Sequence, residues 1–81
     1  MSLEIAGSVR KTVGAKQTLK AMKRNEVTHI YLANDSDEQV VAPLKAYAES
    51  AGIPVDQSYS MMELGIACRI KVKAAAVGLL K

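Results

Sequence analysis

The 81-residue sequence contains neither tryptophan nor phenylalanine, and three tyrosines and one histidine are its only aromatic residues. An interaction that depends on stacking bases against aromatic rings is therefore not expected. The single cysteine, Cys68, excludes an internal disulfide, and we expect a protein of the reducing cytoplasm.

Long apolar runs are also missing. None approaches the ~20 residues that a membrane-spanning helix needs, and no signal peptide opens the sequence, so we expect no membrane partner. We expect residues 1–81 to form one domain with a single small core. The hydrophobic fraction of 49% is typical of a globular protein rather than of a disordered chain.

Acidic residues are absent from two stretches of the chain. Residues 10–24 carry six basic side chains and no acid, and residues 66–81 carry four and no acid. The stretch between them, 26–63, carries seven acids and Lys45 as its only lysine or arginine. If the fold joins the two basic stretches, they form a patch that attracts nucleic acid more strongly than the net charge of +3 indicates. The same asymmetry fits an acidic protein partner.

The segment from Gly14 to Arg24 predicts a short basic helix that begins after a glycine. On a helical wheel, Ala15, Leu19 and Met22 lie on one side, where they can pack against a core. The other side carries four cations, with Gln17 at its margin: Lys16, Lys20, Lys23 and Arg24. The unpaired N–H groups and the positive dipole end of the helix start add to the attraction for a polyanion such as phosphate. The lysine face of an isolated basic helix is more often simply exposed to solvent. The second basic stretch favours the interpretation that this face binds a polyanion.

Hydrophobic periodicity and turn residues predict alternating helices and strands. The predicted elements are a helix over 1–11, a very short strand at 12–13, the basic helix ending near 24–25, a strand over 26–33, a helix over 36–52, a strand from 53 to 55, a helix over 60–67, and a segment at 74–80 that fits either helix or strand. This alternation predicts a small α/β sandwich with a mixed or parallel sheet.

Three local features mark the later helices. Capping boxes of the form Ser-x-x-Gln and Ser-x-x-Glu predict helix starts at residues 36–39 and 60–63. Pro43 is expected to kink its helix or to divide it into two pieces. Gly65 weakens the last helix, and we expect it to permit close backbone packing.

The segment Gly14-Ala15-Lys16-Gln17-Thr18-Leu19-Lys20, followed by Lys23-Arg24, resembles the Gly-x-Lys-Gln-Thr-x-Lys signature of the kink-turn RNA-binding ribosomal proteins, the large-subunit "seven-Ae" and "thirty-e" relatives. The stretch 64–77 is similar to the second signature of that family. The resemblance covers essentially the whole chain, whose length is similar to that of the small bacterial, ribosome-associated branch. It implies a single-domain, three-layer α/β/α sandwich with a four-stranded mixed sheet, in which residues 74–80 form a strand.

The resemblance implies that the start of the basic helix docks against a sharp bend in RNA, beside tandem sheared G·A pairs. Lys16 and Gln17 would contact guanine edges, to which lysine donates and glutamine both donates and accepts. Gly14 would let the backbone approach closely, and Thr18 would support the helix start or make a minor contact. The implied RNA-binding residues of this segment are Gly14, Lys16, Gln17, Thr18, Lys20, Lys23 and Arg24, the last three neutralising phosphates.

Two further segments complete the implied site. In the turn after the 26–33 strand, Asn34 would bond a sugar or a base, with Asp35 beside it. The segment 69–72 would cover an extruded nucleotide. Ile70 and Val72 would supply apolar contact, and Arg69 and Lys71 would supply charge. The implied residues outside the basic helix are Asn34, Asp35, Arg69, Ile70, Lys71 and Val72.

Three residues depart from the usual family pattern. Arg69 stands where a glycine is usual, Lys71 where an acid is usual and Lys73 where a small residue is usual. We expect these departures to raise the general affinity for RNA, and they leave open the selectivity for the extruded nucleotide.

The implied partner is structured RNA that contains a kink-turn, in ribosomal RNA or a riboswitch, with the ribosome as the larger assembly. We expect a monomer that is not an enzyme and that has no cofactor, metal or catalytic residue. Two alternatives stay open: a module that binds an acidic protein through the same basic face, and a binder of small phosphates or nucleotides.

Other chemically capable residues have simpler roles. His29 has no histidine, cysteine or acid at ligand spacing, so we expect it to be structural. Cys68 is expected to be a small core residue, although the adjacent Arg69 could lower its pKa. The acids at 35–38 fit turn and capping roles without Mg²⁺.

Overall fold

A computed structural model of the chain describes residues 10–68 and 70–81. Four strands and three helices alternate along the described residues. Their bounds are β1 Lys11–Val13, α1 Ala15–Lys23, β2 Val27–Leu32, α2 Glu38–Ala51, β3 Val55–Asp56, α3 Met61–Ala67 and β4 Ala76–Leu80. None of these helices has the length and apolar character required to cross a membrane.

The four strands form one mixed sheet in the order β1-β4-β2-β3. Strand β4 runs antiparallel to both β1 and β2, whereas β3 runs parallel to β2. The carboxyl ends of β1 and β2 therefore lie on the two sides of the amino end of β4. Val13 pairs with Val77, and Leu32 pairs with Ala76. We call this end of the sheet, marked by Val13, Leu32 and Ala76, the upper edge.

Two apolar clusters cover the two faces of the sheet. Helices α1 and α2 pack on one face, in a cluster formed by Ala21, Met22, Val27, Ile30, Leu32, Val41, Leu44, Ala48 and Ala76. Helix α3 packs on the other face, in a cluster formed by Ala33, Leu64, Ala67, Cys68, Ala74 and Val77. The three-layer α/β/α sandwich with a four-stranded mixed sheet is thus confirmed.

Strand β4 resolves the segment that the sequence left open. Ala76 belongs to the cluster under α1 and α2, and Val77 belongs to the cluster under α3, as the two-residue period of a strand requires. The predicted short strand before the basic helix is also confirmed as β1. The predicted first helix mostly falls on residues 1–9, outside the described residues, and it is wrong at Lys11, which pairs with Leu79 as part of β1.

The capping predictions have different outcomes. At the start of α3, Ser60 Oγ accepts from the Glu63 N–H at 3.1 Å, and Glu63 Oε1 accepts from the Ser60 N–H at 2.9 Å, so this box is confirmed. At the start of α2, the predicted box is wrong by one residue. Asp37 is the N-cap, and its carboxylate accepts from the Gln39 N–H at 3.0 Å.

Pro43 does not divide α2, which runs without a break from Glu38 to Ala51. Proline removes one backbone donor from the helix interior. Val41, Leu44 and Ala48 are buried on the inner side of α2, before and after the proline. Residues on both sides of the proline therefore pack into one apolar cluster.

Candidate nucleic-acid interface

Three segments of the chain meet at the upper edge. The Gly14 N–H donates to the Ala76 carbonyl oxygen at 2.8 Å, which fixes the start of α1 beside the start of β4. On the other side of β4, the Ala33 N–H donates to the Ala75 carbonyl oxygen at 2.9 Å, which fixes the turn after β2. Because the residues from Ile70 onward lead directly into β4, the two basic stretches of the sequence both reach this edge.

The start of α1 is open to a negatively charged ligand. Gly14 is the residue that precedes the helix, and its φ of 100° is one that residues with a side chain rarely adopt. No side chain within 10–68 or 70–81 caps this helix start, and its first turn contains no acid. The first-turn N–H groups therefore have no side-chain acceptor, and the positive end of the helix dipole is uncompensated.

The polar face of α1 carries its charge into solvent. The exposed residues are Lys16, Gln17, Lys20, Lys23 and Arg24. Within residues 10–68 and 70–81, the single ion pair joins Lys45 Nζ to Glu38 Oε1 at 3.7 Å on α2. Among the described residues, the cations of α1 thus have no carboxylate partner, which suits a surface that binds an anion.

Thr18 is the predicted site residue that the structure removes from the surface. Its side chain is 0% exposed, and its hydroxyl shares a 3.0 Å hydrogen bond with Thr12 Oγ1. The buried side chain leaves no surface for an RNA contact and lies where it can support the helix start, the second of the two predicted roles. The helical wheel carried the signal, because Thr18 lies three residues after Ala15 and four before Met22, on the buried side.

Two supporting residues, Thr12 and Gly78, were missed in the sequence. A Cβ on Gly78 would lie 2.8 Å from Thr12 Oγ1 and 3.1 Å from Thr18 Cγ2. The absence of a side chain at Gly78 thus lets the threonine pair lie against β4 and sets the position of α1. A glycine inside a strand often marks such a close approach, which is the signal that could have found it.

The turn after β2 contributes one exposed amide and one structural carboxylate. The Asn34 N–H donates to the Tyr59 carbonyl oxygen at 2.9 Å, and the Asn34 side chain remains exposed. Asp35 Oδ1 accepts from the Met61 N–H at 2.8 Å, across 26 residues of sequence. The carboxylate of Asp35 therefore holds the first residue of α3 against this turn.

Several acids are engaged by the backbone in the same way. Asp35, Asp37, Asp56 and Glu63 each accept a hydrogen bond from a backbone N–H at 2.8–3.0 Å. Each of these carboxylates has a backbone partner, whereas the cations of α1 form no ion pair with any residue that the structure describes. The charge that α1 presents to solvent is positive.

The segment 70–73 lies against α3. The Ile70 N–H donates to the Gly65 carbonyl oxygen at 3.1 Å, and the Ala74 N–H donates to the Met61 carbonyl oxygen at 3.1 Å. The position that a Cβ would take on Gly65 is occupied by the backbone carbonyl of Val72, so the predicted close packing at this glycine is confirmed.

The predicted side chains of this segment have different exposures. Lys71 and Val72 are exposed, and Ile70 is half-buried against the cluster under α3. Arg69, the fourth predicted residue, lies outside the described residues.

The other chemically capable groups have structural surroundings. Burial raises the pKa of the Cys68 thiol, and the charge of Lys11 opposes that shift only in part. Cys68 is buried, as expected for a core residue. The ring of His29 packs edge-to-face on Tyr31, with 4.9 Å between the ring centres. Among the residues with described positions, no three His, Cys, Asp or Glu side chains form a group that could hold a metal ion.

These features define a three-layer α/β/α domain whose sheet edge carries the start of a basic helix with exposed cations. Residues 6–81 match the model of the Ribosomal protein L7Ae/L30e/S12e/Gadd45 family, and the chain belongs to this family.

The chain is similar to several bacterial proteins over most of its length. It is 42% identical over 69 residues to the RNA-binding protein YbxF of Geobacillus stearothermophilus, and the alignment covers 85% of this chain and 84% of that protein. It is 44% identical over 66 residues to the RNA-binding protein TTE2299 of Caldanaerobacter subterraneus, and the alignment covers 82% of this chain and 80% of that protein.

A solved structure has a similar fold. The 15.5kD RNA binding protein of Giardia lamblia superimposes with a TM-score of 0.82 at 28% identity. The match covers 88% of this chain, which spans only 60% of the Giardia chain.

Proposed function

We propose that this protein binds structured RNA at the upper edge and that it recognises a kink-turn or a bulged helix. The observation that carries the proposal is the hydrogen bond from Gly14 to Ala76, which brings the uncapped start of α1 beside the segment that leads into β4. Relatives that share about two-fifths of its residues are named RNA-binding proteins, which supports RNA as the partner. A protein of this kind acts by binding and not by catalysis.

The binding mechanism divides between two kinds of contact. Phosphates of the bent strand lie against the exposed cations of α1, which pair with no carboxylate in the described part of the chain. Lys16 and Gln17, in the first turn of α1, reach the base edges, where lysine donates to guanine and glutamine both donates and accepts. Phosphate contacts fix the position of the RNA, and base contacts select the bend.

The remaining contacts come from the two flanking segments. The exposed amide of Asn34 bonds a sugar or a base on one side of β4. Lys71 and Val72, which are exposed in the segment before β4, cover the nucleotide that the bend extrudes. RNA is commonly recognised through such unpaired, splayed nucleotides rather than through its deep major groove. We propose that the protein binds as a monomer and that its target lies in ribosomal RNA or a riboswitch.

The proposal is tested by electrophoretic gel shift at several potassium chloride concentrations. One probe is a hairpin with a kink-turn, and the other is a plain duplex of the same length and base composition. We expect tighter binding to the kink-turn hairpin at every salt concentration, because base contacts add to the phosphate term. Equal affinity for both probes would overturn kink-turn recognition, and no binding to either would overturn RNA binding.

A further inference from the structure

Met61, the first residue of α3, is hydrogen-bonded through both of its backbone groups to other segments of the chain. Its N–H donates to Asp35 Oδ1 at 2.8 Å, in the turn after β2. Its carbonyl oxygen accepts from the Ala74 N–H at 3.1 Å, directly after the segment 70–73. One residue of α3 therefore joins the turn after β2 to the segment that leads into β4.

A second hydrogen bond fixes the same turn to the residues before α3. The Asn34 N–H donates to the Tyr59 carbonyl oxygen at 2.9 Å, two residues before Met61. This bond is made by backbone groups alone, so a change of side chain leaves its partners in place. Of the two bonds, the one to Met61 depends on a side chain, and that side chain is the Asp35 carboxylate.

The start of α3 explains why a carboxylate stands at position 35. The first N–H groups of a helix have no partner within it, and the helix dipole is positive at that end. The capping box at the start of α3 joins Ser60 to Glu63 and does not use the Met61 N–H. Asp35 supplies the acceptor, and its negative charge both strengthens the hydrogen bond and complements the dipole.

Asp35 is an unfavourable residue for direct contact with a polyanion. It is exposed and adjacent to Asn34, whose amide belongs to the candidate interface. An ionised carboxylate at this place repels phosphate and has no hydrogen-bond donor to offer it. The bond to Met61 therefore accounts for Asp35 at this edge better than an RNA contact does.

We propose that Asp35 is a positioning residue for RNA selectivity, which acts through Met61 and does not touch the RNA. Its bond holds the turn that carries Asn34 and the segment 70–73 at one fixed separation on α3. An RNA that contacts both segments then binds without the cost of ordering either of them. A bent RNA reaches both segments, whereas a plain duplex binds mainly through the cations of α1. This inference rests on the proposed function and adds a determinant of selectivity outside the contact surface.

The test compares two substitutions of equal charge at position 35. Asp35→Ala removes the acceptor, and Asp35→Asn keeps a side-chain oxygen in a side chain of the same shape. Both remove one negative charge, so both should raise the affinity for the plain duplex slightly and by the same factor. In gel shifts at one potassium chloride concentration, we expect Asp35→Ala to lower the ratio of kink-turn affinity to duplex affinity by about fivefold. Asp35→Asn should keep the ratio of the natural protein.

The matched control is Asp56→Ala. Asp56 Oδ1 also accepts from a backbone N–H at 2.8 Å, but its donor is Ser58, only two residues along the chain. This substitution removes the same charge without separating two elements, so the affinity ratio should not change. Amide hydrogen exchange gives the structural readout. The Ala74 N–H should exchange faster in Asp35→Ala than in Asp35→Asn or in the control.

A further substitution removes the donor and keeps the charge of Asp35. Proline is well tolerated at the first position of a helix, so Met61→Pro deletes the N–H and keeps the carbonyl group that bonds Ala74. We expect Met61→Pro to lower the affinity ratio by the same factor, and Asp35→Ala should lose nothing further in its background. Urea unfolding of each variant checks that the fold is kept, and Met61→Pro decides the question if Asp35→Ala does not fold.

The outcomes separate the positioning role from the proposed function. Equal losses of the ratio in Asp35→Ala and Asp35→Asn would overturn the positioning role, because the charge itself would then act on the RNA. An unchanged ratio in Asp35→Ala and Met61→Pro, or an equal loss in the control, would also overturn it while the proposed function stands. A natural protein that binds the kink-turn hairpin and the duplex equally would overturn both.

Discussion

Gly65 and Val72 lie in direct backbone contact, and the Val72 carbonyl occupies the space that a side chain on Gly65 would fill. The contact joins the middle of α3 to the segment that forms part of the candidate interface. Because the opposing atoms are backbone, they cannot move aside as the end of a flexible side chain would.

The first prediction concerns the substitution Gly65→Ala. Alanine favours the helix by up to ~1 kcal/mol relative to glycine, but overpacking against a fixed neighbour typically costs about 1–3 kcal/mol. We expect a net loss of stability, measured by urea unfolding, and displacement of the segment 70–73. Binding to the kink-turn hairpin should fall more than binding to the duplex, because the segment is moved while the cations of α1 are kept. An alanine variant with unchanged stability and unchanged preference would contradict this role for Gly65.

The second prediction concerns Thr18→Val, which keeps the shape of the side chain and removes its hydroxyl. The Thr12 hydroxyl then loses its partner in a part-buried place, and we expect a loss of about 1–2 kcal/mol in the free energy of unfolding. Thr28→Val is the matched control, because the Thr28 hydroxyl also donates a hydrogen bond, to the Leu79 carbonyl oxygen at 3.2 Å, but at an exposed position. Water can replace that bond, so we expect this control to change stability by less than about 0.5 kcal/mol.

The salt dependence of RNA binding separates support from contact at Thr18. A buried residue touches no phosphate, so the slope of log affinity against log salt should be the same for Thr18→Val and the natural protein. A reduced slope would mean that Thr18 lies at the RNA after all. The double variant with Thr12→Val should lose less stability than the sum of the single changes, since neither hydroxyl is then left unpaired.

Much of the fold could be predicted because local signals agreed with the final structure. The nearly continuous apolar run of β2 reflects its position between β4 and β3, with helices on both faces. The capping box at Ser60 needs only neighbouring residues, so sequence alone identified it. The sequence of segment 74–80 is ambiguous because its alanines favour a helix. In the structure, β1 and β2 pair with β4 on both sides and impose a strand.

The candidate site was predictable in its charges but not in its supports. The helical wheel placed the exposed cations of α1 correctly, because this arrangement depends on one helix. The supporting roles depend on contacts between different elements. Asp35 accepts a hydrogen bond from Met61, 26 residues away, and Gly78 on β4 lies against Thr12 on β1 and Thr18 on α1. Such long-range contacts leave no periodic pattern in a single sequence.

The third prediction concerns the phosphate contacts of Lys20 and Lys23. Replacing either lysine with alanine should weaken binding to the kink-turn hairpin and to the duplex by similar factors. Each phosphate contact that is lost should reduce the slope of log affinity against log salt by about 0.9. Lys45→Ala is the control for charge alone, because Lys45 pairs with Glu38 on α2. If this control changes the slope as much as the α1 variants do, the effect belongs to net charge and not to a defined contact.

The fourth prediction concerns the base contacts of Lys16 and Gln17 in the first turn of α1. Gln17→Ala leaves the net charge unchanged, so any loss of affinity cannot be attributed to a weaker phosphate attraction. We expect Gln17→Ala to weaken binding to the kink-turn hairpin by about 1–3 kcal/mol, the range for a good base contact, and to change binding to the duplex little. Lys16→Ala should likewise lose more affinity for the kink-turn hairpin than for the duplex. Its missing charge should add a smaller loss of affinity that is equal on both probes. The measurement is a pair of titrations at one salt concentration, compared as a ratio of affinities. Equal losses on both probes for Gln17→Ala would remove base readout from the start of α1 and leave it as a phosphate site only.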